Sequence, residues 1–93
     1  MNTQNKSIIT VVGKDKVGII AKVCNYLSDN NINVLDISQT IVSGFFNMMM
    51  IVDTDGAKKD FLTISNGLEQ LGKKIGVVIK LQREDIFNQM QRI

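Results

Sequence analysis

The sequence predicts an α+β fold: one four-stranded antiparallel sheet with two helices on one of its faces. Four short segments are β-branched or alternate apolar with polar, and two longer ones carry apolar residues at helical spacing. Their order along the chain is β-α-β-β-α-β.

Ser7 to Val12, SIITVV, is short, apolar and β-branched, which reads as a buried strand. Gly13 to Val17 is expected to be a loop. From Gly18 the spacing turns helical, with Ile20, Val23, Cys24 and Leu27 at i, i+3, i+4 and i+7. The polar run Ser28 to Asn31 stops this helix, and an Asn there can take the left-handed terminal conformation. Asn33 to Val42 alternates as a long strand, with Leu35, Ile37 and Ile41 expected on one side. Ser43-Gly44 is a tight-turn signal, and Phe45 to Val52 follows as the second arm of a hairpin. Thr54-Asp55-Gly56 is a turn. Asp60 to Ile75 carries one apolar stripe of Phe61, Ile64, Leu68, Leu71 and Ile75, ended by Gly76. Val77 to Gln82 is a strand, and Glu84 to Ile93 is expected to be a short amphipathic helix bearing Ile86, Phe87, Met90 and Ile93. Two β-α-β crossovers on one sheet give a ferredoxin-like βαββαβ sandwich. The expectation is one domain over residues 1–93, with a core over 7–83 and a C-terminal helix over 84–93. The uncovered sheet face should be polar unless it meets a partner.

Composition narrows the function. Ninety-three residues can bury roughly two-thirds of their unfolded surface. The net charge of +2 gives little attraction to nucleic acid or membrane. A single cysteine allows no internal disulfide, which suits a reducing compartment. No apolar run approaches the ~18 residues of a membrane span, and the polar start MNTQNKS lacks a secretory apolar core. The expected location is the cytoplasm. Histidine is absent, which removes the usual general base and the commonest transition-metal ligand. No enzyme activity is expected.

The loop between the first strand and the first helix is the richest stretch. Gly13 and Gly18 have the gap of a phosphate-binding loop, but Ile19 and Ile20 stand where Lys and Ser or Thr are needed. Lys14-Asp15 breaks the dinucleotide fingerprint. Acylphosphatases share this element order but need an arginine in the loop, and none precedes Arg83. RNA-binding sheets of this topology stack bases on aromatics. Here the first and last strands have none, and Phe45 and Phe46 point to opposite faces. The backbone offers two readings. A helix N-terminus at Gly18 presents free N–H groups and a dipole that suit a carboxylate, with Asp15 able to hold an ammonium beside it. Alternatively, Gly13 and Gly18 serve a tight turn and close helix packing, and Lys14 and Lys16 are solvated loop charges.

These residues carry a resemblance. Val12-Gly13-Lys14-Asp15-Lys16-Val17-Gly18-Ile19, running into a helix, resembles the opening of an ACT domain, whose pattern is strand, G-x-D-[RK]-x-G-[IL], helix. Asn31-Ile32-Asn33-Val34-Leu35-Asp36-Ile37 is similar to the second signature, which opens the next strand. DISQT at Asp36 to Thr40, followed by a Phe- and Met-rich strand, resembles small stand-alone bacterial ACT proteins. These are related to the ACT modules of glycine-cleavage regulators and formyltetrahydrofolate deformylases. The resemblance covers about residues 6 to 93. It implies a regulatory module, often for amino acids, acting as a homodimer with its ligand at the subunit seam. Carried over, the ligand residues are Asp15, Gly18 and Ile19, with Asn33 and Asp36 from the second strand and Gly13 shaping the turn. Val17 stands where many relatives have proline.

Other features have plainer uses. Met48, Met49 and Met50 cannot converge on a soft metal from one strand, because successive side chains alternate faces. Cys24 lies on the apolar side of its helix, as a buried inert thiol would. Asp53 and Asp55 suit a turn before a helix. The terminal helix carries Glu84 and Asp85, so it is expected to pack on the domain or a second subunit rather than on a membrane. No metal or cofactor is expected. The alternative function is a ligand-free interaction module whose open sheet face or terminal helix binds a partner protein.

Overall fold

The computed structural model describes residues 6–14 and 18–83. Among these, the elements are β1 (Lys6–Lys14), α1 (Ile19–Asp29), β2 (Asn33–Val42), β3 (Phe45–Asp53), α2 (Phe61–Ile75) and β4 (Val78–Arg83). The strands form one antiparallel sheet in the order β2-β3-β1-β4, so β2 and β4 are its edges. This is the expected ferredoxin-like βαββαβ fold. The expected helix over 84–93 lies outside the described residues.

Alternation along the central strands builds the core. Ile9 and Val11 on β1 pair with Met50 and Met48 on β3, and all four are buried against the helices. Met49, between those two methionines, is 38% exposed on the other face, as strand alternation requires. Phe46 is buried and Phe45 is exposed for the same reason. Ile79 and Leu81 extend the inner layer on β4.

The helices close that layer from above. In α1, Ile19, Val23 and Leu27 are buried; in α2, Ile64, Leu68 and Gly72 are. Asp60 caps α2 by accepting the Thr63 N–H at 3.0 Å, and Gly76 ends it in the left-handed region. Asn31, with φ 60, takes the left-handed position after α1. Its Nδ2 donates to the Gly56 carbonyl at 2.8 Å, tying the start of β2 to the β3–α2 loop. Ser43 and Gly44, both with positive φ, make the hairpin turn between β2 and β3. The Arg83 guanidinium sits 4.6 Å from the centroid of the Phe61 ring and joins the end of β4 to the start of α2.

Three expectations need correction. Gly13 and Lys14 belong to β1, where Gly13 pairs with Phe46, and are not loop. A Cβ on Gly13 would lie 2.5 Å from Val77 Cγ1, so this glycine permits a close approach and does not shape a turn. Leu35 is the extra residue at a register shift between Val34 and Asp36, so it does not continue a simple alternation with Ile37 and Ile41. Ile37 and Ile41 face the helix side through their partners Met50 and Phe46, yet they are 39% and 65% exposed.

Candidate functional site

The expected ligand residues fall at two ends of the sheet. Lys14, Phe45 and Val42 mark one end; Lys6, Asp53 and Asn33 mark the other. β1 and β2 each pair antiparallel with β3 and so run parallel to each other. Eight steps along β1, at ~3.3 Å each, separate the ends by about 26 Å. Gly13, Gly18 and Ile19 stand at the first end and Asn33 at the second. One chain does not bring them together.

At the first end, Gly18 has φ 91, conformational space that glycine enters freely. Nothing lies within 4 Å of where its Cβ would be. Gly18 precedes α1, and its carbonyl accepts the Lys22 N–H at 3.0 Å. The N-terminus of α1 has no side-chain cap and no acidic residue in its first turn. By contrast, Asp60 caps α2. The Ile19 side chain is 3% exposed and belongs to the core, so only its backbone N–H is available to a ligand. Asp15 lies outside the described residues.

At the second end, Asn33 is exposed at the start of β2. It borders a hollow of about 260 Å³ between α1 and β2, together with Cys24, Ser28 and Asn31. Cys24 is partly exposed there, not fully buried as its helical position suggested. Sequence reading passed over this hollow; its one signal was the i, i+4 spacing of Cys24 and Ser28 beside two asparagines. Asp36 is exposed on the open face opposite Ile51, and its Oδ1 accepts the N–H of Ile37 at 2.9 Å.

The open face is mixed rather than polar. A shallow depression of about 350 Å³ crosses it, lined by Thr10, Ser38, Thr40 and Asn47 with Val12 and Met49. In the β3–α2 loop, Asp53 Oδ1 accepts the Asp55 N–H at 2.9 Å, the turn role expected of these aspartates. No group of three or more His, Cys, Asp or Glu side chains could hold a metal among the described residues. No helix there is long and apolar enough to cross a membrane.

The fold and the glycine-led helix start define the class: a small α+β βαββαβ module. Comparison with known proteins makes this specific. The ACT domain family model matches residues 6–82, and the chain belongs to the ACT domain family. It is 65% identical over 89 residues to a UPF0237 protein of Bifidobacterium longum, spanning 96% of this chain and 99% of that one. The structure of an ACT domain protein from Streptococcus pneumoniae is 42% identical with a TM-score of 0.80, covering 91% of this chain and 96% of that one. The regulatory subunit of aspartate kinase from Thermus thermophilus is 30% identical with a TM-score of 0.63, covering 85% of this chain and 51% of that one. ACT domains are commonly regulatory modules that bind small molecules.

Proposed function

We propose that this chain is an amino-acid-binding regulatory module that works as a homodimer in the cytoplasm, with no catalytic activity of its own. Residues 1–93 act as one unit in this reading. The observation that carries it is the start of α1: a helix led by a left-handed glycine, with no side-chain cap and no acidic residue in its first turn. Its free N–H groups and helix dipole suit a ligand carboxylate. Asp15 takes the ammonium group, Gly18 and Ile19 supply backbone N–H groups, and Gly13 sets the end of β1 behind them. Asn33, with Asp36 beyond it, comes from the partner subunit.

The edge strands favour one way of pairing. β2 has ten residues without Lys, Arg or Pro, whereas β4 has six and carries Lys80 and Arg83. Natural sheets guard exposed edges with such residues, so β2 is the edge left open for a second copy. An antiparallel β2–β2 pair centred near Ser38 sets Asn33 of one subunit beside the end of β2 in the other. That is the end of the sheet at which Gly18 stands, across β3 from the β2 edge, and in this reading the ligand spans the two. The similarity to the regulatory subunit of aspartate kinase supports the same kind of role.

A thermal-shift screen against the twenty amino acids at millimolar concentration tests the proposal. A ligand at ten times its Kd adds about 1.4 kcal/mol. That raises Tm by several degrees, at ~4–8 °C per kcal/mol for a domain of this size. A selective rise removed by Asp15→Ala supports the reading. A flat panel sinks it and favours the second reading, a ligand-free interaction module. Exposed Val12, Phe45, Met49 and Val78 on the open face speak for that alternative.

A further inference from the structure

Alternation fails once on β1, where Ser7, Ile8 and Ile9 are buried in succession. Ser7 and Ile9 face the helices with their partners Val52 and Met50. Ile8 therefore points to the open face, beside Ile51 on β3 and Gln82 on β4. It is nonetheless only 4% exposed. Every other buried apolar side chain among the described residues belongs to the core between sheet and helices, and Ile8 does not.

The shielding fades with distance from Ile8 along that face. On β1, Ile8, Thr10 and Val12 run from buried through half-buried to 42% exposed. On β4, Gln82 is half-buried, and Lys80 and Val78 are exposed. On β3, Ile51 is half-buried, and Met49 beside it is 38% exposed. The shielded end is the one where β4 finishes at Arg83, paired with Ser7.

The chain supplies a cover of the right size at that end. Ten residues, 84–93, follow Arg83, with Ile86, Phe87, Met90 and Ile93 on one side at helical spacing. Glu84 and Asp85 fall in the first turn of such a helix, where acidic side chains favour it. Ten helical residues span about 15 Å. Neighbouring strands stand ~4.8 Å apart, so the path from β4 across β1 to β3 is about 10 Å. Residues 1–5, MNTQN, adjoin the same end but offer one apolar side chain.

We propose that residues 84–93 dock on the open face of their own chain, crossing from β4 over β1 to β3, with Phe87 against Ile8 and Ile51. Burying the apolar stripe drives the docking. The segment closes one end of the face and leaves Val12, Phe45 and Val78 open at the other. A partner protein that uses the whole face has to displace it.

The test is nuclear Overhauser spectroscopy on the full chain. Cross-peaks are expected from the Phe87 ring to the Ile8 and Ile51 methyl groups. An isotope-filtered experiment on mixed labelled and unlabelled chains is expected to show none of them, because the contact lies within one chain. Phe87→Ala should shift the amide resonances of Ile8, Thr10, Ile51 and Gln82, leave that of Val78 in place, and raise the fluorescence of an apolar dye several-fold. The variant's own spectrum reports whether it is folded, and the cross-peaks of the unaltered chain decide the matter if it is not. Cross-peaks found only between chains overturn the proposal and put a second copy on this face. Absence of any cross-peak from 84–93 to Ile8 or Ile51 overturns it too, as do shifts confined to 84–93 in the variant. A flat amino-acid screen does not alter these expectations, since the contact needs no ligand.

Discussion

At Gly13, a pattern residue of the family turns out to be a packing residue. Its missing Cβ lets the end of β1 approach buried Val77. Gly13→Ala forces that contact apart and should cost about 1–3 kcal/mol, read as a lower urea midpoint at unchanged slope. Unaltered stability would show that Val77 moves aside freely. Gly67 has a similar constraint: a Cβ there would collide with the Tyr26 hydroxyl, which donates to the Ile64 carbonyl at 3.4 Å. Burial raises the Tyr26 pKa above its ordinary value. The Asp60 carboxyl is held below its ordinary value by its hydrogen bonds with Thr63. A depressed folded-state pKa stabilises above the unfolded pKa, and the contribution is lost as pH falls through the folded one. Acid denaturation below about pH 4 should therefore include Asp60. In Asp60→Asn, which keeps a capping oxygen, the acid limb of the stability curve should be flatter. An unchanged limb would assign the acid sensitivity to other carboxylates. The Gly13 and Gly67 contacts are not legible in sequence, because each joins residues far apart in the chain, whereas the Asp60–Thr63 cap is local.

At the scale of elements, sequence patterns place all six with small shifts at their ends. β1 runs two residues past its expected end, through Gly13 and Lys14, since β3 and Val77 continue to support it. α2 matches its apolar stripe, with Asp60 as cap rather than first turn. Alternation could not resolve β2. The irregularity at Leu35 and the limited reach of the helices leave Ile37 and Ile41 exposed on the inner side. If that edge pairs with a second copy, placing lysines there should prevent the pairing by like-charge repulsion and edge blocking. Ile37→Lys combined with Ile41→Lys should halve the mass seen by light scattering and leave the far-ultraviolet dichroism of the fold intact. A dimer that persists would move the interface to another surface, with the open face next in line.

At the scale of the whole molecule, the proposed dimer and its ligand are thermodynamically linked. A ligand held between subunits tightens their association, and association tightens ligand binding by the same factor. Tm should therefore fall on dilution and recover when the stabilising amino acid is added. A Tm independent of protein concentration, with or without ligand, would mean that ligand and dimer are uncoupled. Asn33→Ala should weaken the ligand response without lowering the ligand-free Tm, because Asn33 is exposed on a single subunit.

The sequence by itself determined the element order, the fold and the family. Hydrophobic period, turn residues and two short motifs are local signals that need no knowledge of distant contacts. The tertiary structure alone decided where the candidate residues stand. Parallel β1 and β2, with β3 between them, put Gly18 and Asn33 at opposite ends of one sheet. Such placements depend on strand order and register, which long-range pairing sets and no local pattern encodes.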